Sequence, residues 1–222
     1  MKTIVCYGDS NTWGFMPEPE LPELPRSRFD FQTRWTGILQ RALGDDYRVE
    51  EEGLNGRTTI FDDVLGEHRN GFQYIDTCML TKMPVDLVIL MLGTNDTKEH
   101  IGASAFLIAR GVEKLVERIQ AGGYASGGVS PEILVMAPAH LGAGIANTWL
   151  GDEFGPHCLE KDAQLASLYQ KVAEKHRLHF LNAADVVEVS PEDCVHLSAA
   201  AHAKLGAQVA DKVRHIFGSL CL

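Results

Sequence analysis

No stretch of the sequence is apolar over the roughly 20 residues a membrane-spanning helix needs, so no helical span is expected. The chain also lacks a C-x-x-C pair. Its cysteines, Cys6, Cys78, Cys158, Cys194 and Cys221, are odd in number and widely scattered, which argues against a disulfide framework or a zinc site and fits a reducing compartment. Positive charge is in the minority: 20 Lys and Arg stand against 30 Asp and Glu, for a net charge of -10. That balance disfavours nucleic acid, an anionic membrane surface and other phosphate-rich partners. No internal repeat is visible, and nothing in the composition calls for a metal or a cofactor. Met1-Lys2-Thr3 leads directly into a strand-like run without an apolar signal core, so a soluble, unprocessed, cytoplasmic protein is the expectation.

At 222 residues the chain has the length of one well-buried α/β domain, expected to span 1–222. Ile4-Val5-Cys6-Tyr7-Gly8 reads as a first strand that stops at a small polar cluster, Asp9-Ser10-Asn11-Thr12. In open parallel sheets ligands bind beyond the carboxyl ends of the strands, which makes the Ser10 hydroxyl a candidate nucleophile. A helix-capping Ser10 accounts for the same residues equally well. Further along, Tyr47 to Glu51, Val85 to Leu92, Ile133 to Ala137 and His179 to Leu181 read as strands two to five. The run from Val85 is nearly continuous in apolar residues, as expected of a strand buried on both faces.

Helical spacing marks Trp35, Ile38, Leu39, Ala42 and Leu43; Phe72, Ile75, Met79, Leu80 and Met83; and Ile108, Val112, Leu115, Val116 and Ile119. It recurs at Leu165, Ala166, Tyr169, Val172 and Ala173, and at Ala201, Leu205, Val209, Val213 and Ile216, with Ser198 placed to cap the last helix. Strands alternating with helices predict a three-layer α/β/α fold, with helices on both faces of a flavodoxin-like parallel sheet of five strands. Two irregular segments stand out. Pro17 to Pro25 is too proline-rich for a helix interior and reads as a semi-rigid excursion, a pocket wall or subunit contact, with a plain solvent-exposed loop as the competing use. Pro138 to Pro156 reads as a mobile loop over the same crevice.

Four blocks in order, Gly8-Asp9-Ser10, Asn55-Gly56, Gly93-Thr94-Asn95-Asp96 and Asp193-x-x-His196, resemble those of the SGNH, or GDSL-type, hydrolase superfamily over almost the whole chain. Arg34-Trp35-Thr36-Gly37, Glu51-Glu52-Gly53-Leu54 with Arg57-Thr58-Thr59, and Met91 through Lys98 are similar to the bacterial arylesterase and acyltransferase branch. One departure is Asn11, where the family commonly carries Leu or Ile. The resemblance implies an SGNH hydrolase fold, a serine esterase acting on small carboxylic esters, and a homo-oligomer whose loops narrow an apolar approach to the serine. It also implies acyl transfer to alcohols, and it assigns the backbone N–H of Ser10, the backbone N–H of Gly56 and the side-chain amide of Asn95 to an oxyanion hole.

The chemistry follows from the residue types. A serine hydroxyl needs a neighbouring base, and a neutral imidazole suits that task near neutrality, a role for His196. Asp193, three residues earlier, reaches the other ring nitrogen if the segment turns. The α/β-hydrolase elbow G-x-S-x-G is absent, since residue 12 is Thr, so the two folds are distinct. Asn95 alone also fits a turn residue bonding its own backbone; its place after a buried strand favours the donor role. Trp13 and Phe15 are expected to shape the substrate pocket, with core packing as the competing use. His140 is placed to line it as well. His68, His100, His157, His176, His179, His202 and His215 show no ligand-like spacing and read as surface or packing residues.

Asp9 and Asp96 read as structural hydrogen-bonding groups rather than paired acids, and Cys194 as a small buried thiol. Lysophospholipase, thioesterase and sugar-ester deacetylase activities are alternatives within the superfamily. A different class, a nucleotide- or phosphate-binding module cradling phosphate on the Ser10-Asn11-Thr12 loop, leaves Asp193 and His196 without a use.

Overall fold

The computed structural model describes residues 1–18 and 28–219. The Pro17 to Pro25 excursion therefore lies outside the described residues from position 19 onward, as does Cys221. Five strands, β1 (Lys2–Gly8), β2 (Tyr47–Gly53), β3 (Leu87–Met91), β4 (Glu132–Ala137) and β5 (His179–Asn182), form one sheet in the order β2-β1-β3-β4-β5. Every pairing is parallel, with Ile4 opposite Val49 on one side and Leu87 on the other.

Alternation along the strands divides the core between two faces. Val5 and Tyr7 of β1, Val88 and Leu90 of β3 and Ile133 and Val135 of β4 meet α3 (Gly71–Lys82), α4 (Ala105–Gly122) and α6 (Cys158–His176). Ile4, Cys6, Leu87, Ile89, Leu134 and Met136 point the other way, onto α2 (Trp35–Leu43) and α7 (Ala199–Ser219). The crossover from β1 to β2 runs over one face, and the crossovers from β2 onward run over the other. The chain thus reverses its winding between β1 and β3, and the crevice beyond those two strand ends is the switch point at which such sheets bind ligands.

The expected strands and helices are all present, and the β3 residues are buried throughout. Ser198 caps α7 as expected, its Oγ accepting the Ala201 N–H at 3.2 Å. The α3 face differs from expectation. Gly71, Ile75, Cys78 and Met79 are the buried residues, whereas Phe72, Leu80 and Met83 are exposed. Two apolar rows compete on that helix, and the one containing the small Gly71 and Cys78 packs closest to the sheet. On α2, Ala42 is likewise exposed. The 138–156 segment is built around a third apolar cluster, Leu141, Ile145, Leu150, Phe154, Cys158 and Val195, which includes the short helix α5 (Gly151–Phe154). It is a packed cap rather than the loose loop its glycines suggest.

Gly53, at the end of β2, allows the one-turn helix α1 (Ser10–Trp13) to lie against the sheet. A Cβ there would sit 2.1 Å from the Trp13 nitrogen and 2.6 Å from the Thr12 carbonyl carbon. Backbone atoms cannot swing aside as side chains do. Gly53→Ala is therefore expected to destabilise the fold by about 1–3 kcal/mol, the usual range for overpacking. It should also lower esterase turnover by displacing α1. Thermal unfolding alongside an ester assay checks both, and an unchanged melting temperature would contradict the packing argument.

Candidate active site

β1 ends at Gly8, and Asp9 takes the capping role, its Oδ1 accepting the Asn11 N–H at 3.0 Å. Ser10 is the first residue of α1, so its hydroxyl is free of the cap that its sequence position also allowed. The Ser10 Oγ lies 2.9 Å from His196 Nε2, and His196 Nδ1 lies 2.7 Å from Asp193 Oδ2. The turn expected between Asp193 and His196 is present, with Asp193 Oδ1 accepting the N–H groups of Val195 at 3.0 Å and His196 at 2.9 Å. Burial acts to raise the Asp193 pKa, but the His196 contact and these two N–H donors outweigh it and hold the group below its ordinary value.

Asn11 binds both sides of the histidine. Its Nδ2 donates to the Val195 carbonyl at 3.1 Å, and its Oδ1 accepts the Leu197 N–H at 2.9 Å. A Leu or Ile here would make neither bond, so Asn11 forms a polar clip between the serine turn and the histidine turn. Phe15 stacks on the imidazole, with ring centroids 4.3 Å apart, and lines the cavity beside Ser10. Trp13, expected beside it, is not among the cavity-lining residues. Its half-buried ring lies 6.2 Å from that of Phe15, and Arg28 lies 4.8 Å from the Trp13 ring centroid and donates through Nε to the Trp13 carbonyl.

Gly56 and Asn95 border the same cavity as Ser10 and His196. Gly56 has φ 78°, in the left-handed region that favours glycine. Asn95 Nδ2 donates to the Arg57 carbonyl at 3.1 Å, so its amide bridges to the neighbouring loop. Asp96 strengthens that bridge, accepting the Thr59 N–H at 2.9 and 3.1 Å and the Thr59 hydroxyl. Asp9 and Asp96 are thus structural acceptors, as expected, but costly ones. Burial pushes Asp9 up to about 6, against the Asn11 N–H and nearby cations. Burial also pushes Asp96 up to about 7, against the Thr59 bonds and with the charge of Asp9 adding to the rise.

The cavity holds about 220 Å³. Phe15, Leu150, Phe154 and Val195 make an apolar wall, while Asn55, Arg69 and Lys98 face it from the polar side. Lys98 Nζ pairs with Glu153 Oε1 of α5 at 2.6 Å, tying the cap to the loop after β3. Trp149 Nε1 donates to the Glu18 carbonyl at 3.0 Å. Arg69 and Glu153 carried no motif; only their place in the fold brings them here. His140 does not line this cavity. It pairs with buried Asp162 at 2.8 Å and faces a separate hollow beside Gly142 and Cys194.

Among the other histidines, His202 is fully buried, its Nδ1 accepting the Trp35 N–H, and burial lowers its pKa to about 4. His176 meets Glu113 and Glu117 in a cluster that the spacing did not suggest, although Lys175 and Arg110 already neutralise Glu113. Cys194 is buried as expected and burial raises its pKa.

The two raised carboxylates have a consequence for stability. A carboxyl with a raised folded-state pKa binds its proton more tightly folded than unfolded, so its contribution to stability falls as pH rises through that interval. Stability from Asp9 and Asp96 should therefore decline between pH of about 4 and about 7. Asp96→Asn should flatten this decline in urea unfolding across the interval. An identical pH slope in the variant would remove Asp96 as its source.

A profile of the GDSL-like lipase/acylhydrolase family matches residues 6–204. No match was found among curated proteins. Among solved structures, Est24, a carbohydrate acetylesterase from Sinorhizobium meliloti, is 36% identical with a TM-score of 0.89, covering 97% of this chain and 100% of that one. The native aryl esterase of M. smegmatis is 36% identical with a TM-score of 0.91, covering 97% of this chain and 99% of that one. With the family profile spanning most of the chain and relatives this similar over their full length, the protein belongs to the GDSL-like lipase/acylhydrolase family and is an SGNH-type esterase.

Proposed function

We propose that this esterase hydrolyses small, short-acyl carboxylic esters through an acyl-enzyme, with Ser10 as nucleophile, His196 as general base and acid, and Asp193 orienting the imidazole. The observation that carries this reading is the continuous relay from Ser10 Oγ to His196 Nε2 at 2.9 Å and from His196 Nδ1 to Asp193 Oδ2 at 2.7 Å. As Oγ attacks the ester carbonyl, its proton passes to Nε2, and the carbonyl oxygen becomes an oxyanion. The N–H groups of Ser10 and Gly56 and the free N–H of the Asn95 amide are the donors proposed to receive it. Collapse expels the alcohol, protonated by His196. Water, deprotonated by the same nitrogen, then attacks the acyl-enzyme and releases the acid. A cavity of about 220 Å³ favours short acyl groups over long chains.

Two finer features belong to the same reading. The apolar wall of Phe15, Leu150, Phe154 and Val195 supports transfer of the acyl group to added alcohols, because a dry entrance disfavours water as the second nucleophile. A homo-oligomer is supported by the exposure of Val64, Leu65, Phe106 and Leu107, large apolar side chains that a subunit contact would cover. Buried free thiols at Cys6, Cys78, Cys158 and Cys194 fit a reducing, cytoplasmic setting.

Ser10→Ala should abolish labelling by an organophosphonate and lower kcat/KM by at least about 10⁴-fold. Asn95→Ala should keep the fold and lower kcat by roughly 10²- to 10³-fold, the usual cost of one oxyanion donor. Persistent labelling at another residue would overturn the nucleophile. A loss below about tenfold would return Asn95 to a structural role. Turnover requires a neutral imidazole and an ionised Asp193, so the rate should fall on acidification; a flat acid limb would contradict the base. Light scattering of the purified chain and partitioning of product between acid and new ester in the presence of alcohol test assembly and transfer separately. A monomer that only hydrolyses would refute both.

A further inference from the structure

Arg69 lines the cavity that contains Ser10 and His196, yet nothing in the acyl-transfer sequence uses it. Its backbone is fixed, the carbonyl accepting the Thr58 N–H at 3.0 Å and the Thr58 hydroxyl at 3.3 Å. The side chain occupies a slot between two glycines. A Cβ on Gly56 would lie 2.8 Å from the Arg69 Nε and 2.9 Å from Cζ, and a Cβ on Gly66 would lie 2.1 Å from Cζ. Any larger residue at either position would expel the guanidinium. Behind the slot, Asp63 is fully buried and accepts Arg69 Nη1 at 2.8 Å, together with the Leu65 N–H at 2.8 Å and a contact from His100 Nε2 at 2.9 Å. These contacts hold the Asp63 carboxyl below its ordinary pKa, although burial opposes them.

The guanidinium is thus anchored at the rear and open at the front. Its side chain is 29% exposed, and among the described residues Asp63 is its only hydrogen-bond partner. A guanidinium presents five N–H donors in a planar fork, so a preorganised one with open donors matches a carboxylate in two-point fashion. Lys98, the other cation on this wall, does not compete. It is 6% exposed and already bound to Glu153 at 2.6 Å. Across the cavity the apolar wall of Phe15, Leu150, Phe154 and Val195 suits the hydrocarbon part of a substrate.

We infer that Arg69 selects esters bearing a carboxylate on one half of the molecule, which it holds beside Gly56 while the apolar wall takes the other half. The inference rests on the reading of Ser10 as nucleophile in this cavity. The net charge of -10 does not oppose it, because exposed charges more than about 8 Å away are largely screened at physiological ionic strength.

The test uses two substrate pairs that differ only in charge. The first pair, 4-acetoxybenzoate and its methyl ester, places the carboxylate on the alcohol half. The second, phenyl hydrogen adipate and phenyl methyl adipate, places it on the acyl half. In at least one pair the wild-type enzyme should prefer the anion in kcat/KM. Arg69→Leu should then lower that anion-to-neutral ratio by roughly 10- to 100-fold, the range of one charge-assisted interaction, and Arg69→Lys should restore part of it. Inhibition of the wild type by benzoate but not by methyl benzoate, or by adipate but not by dimethyl adipate, gives a readout that requires no variant to fold. A preference for the neutral ester in both pairs, or a ratio indifferent to Arg69→Leu in folded protein, would overturn the inference. Failure of the wild type to cleave any of the four esters would instead count against the reading of the site itself.

Discussion

The site depends on keeping the His196 imidazole against the Ser10 hydroxyl, two groups 186 positions apart in the chain. A contact that remote has no local geometry to preserve it, and a hydrogen bond contributes only about 1 kcal/mol net. The protein surrounds it with independent restraints. Asn11 ties the backbone on both sides of His196 to the helix that carries Ser10, and Asp193 binds the ring and two backbone N–H groups of its own turn. Phe15 covers one face of the imidazole. α7 begins just beyond the turn, and its apolar row anchors the following segment to the sheet. Each of these restrains the geometry of the Ser10–His196 contact.

A second set of contacts joins the loops after β2 and β3, the loops that bring Gly56 and Asn95 to the cavity. Asn95 holds the Arg57 carbonyl, Asp96 holds Thr59, and Arg57 itself reaches back to the Gly8 carbonyl at 2.9 Å. The network is polar and deeply buried, and it is not fully satisfied. Asp9 Oδ2, Thr12 Oγ1 and Thr94 Oγ1 are buried without a partner among the described residues. Unpaired polar atoms and raised carboxylate pKa values in one small volume mark a place where stability is given up for the geometry of a site. The rest of the core, with alternating apolar residues on both faces of the sheet, supplies the stability that offsets it.

The cavity has two unlike walls, and they come from different parts of the chain. Its apolar side is shared between Leu150 and Phe154 of the packed 138–156 cap and Phe15 and Val195 beside Ser10 and His196, and its cationic side comes from the loops after β2 and β3. The Lys98–Glu153 pair connects the two. The Ser10 and His196 turns also contribute to the walls, through Phe15 and Val195, so the Ser10–His196–Asp193 contacts and the cavity lining share the same elements.

Much of this was legible in the sequence because it is local. Apolar runs of strand length, helical spacing and the polar clusters that follow each strand gave the element order and the parallel sheet. Ser10, Gly56, Asn95, Asp193 and His196 stood at the ends of those elements, where an open sheet presents its crevice. Residues that local pattern could not assign were those with two equivalent uses. On α3 two apolar rows satisfy the same spacing, and only packing against the sheet chose Ile75 and Cys78 over Phe72 and Leu80. Trp13 and Phe15 are near-equal in sequence, and the direction of one short helical turn sent Phe15 onto His196 and Trp13 onto Arg28. The sequence marked Asn11 as a departure without showing what it binds, and it gave no sign that Arg69 would lie over Gly56. Composition and periodicity determined which elements form and where their polar ends fall; tertiary structure alone decided which side chains meet, because those distances are set by packing between segments far apart in the chain.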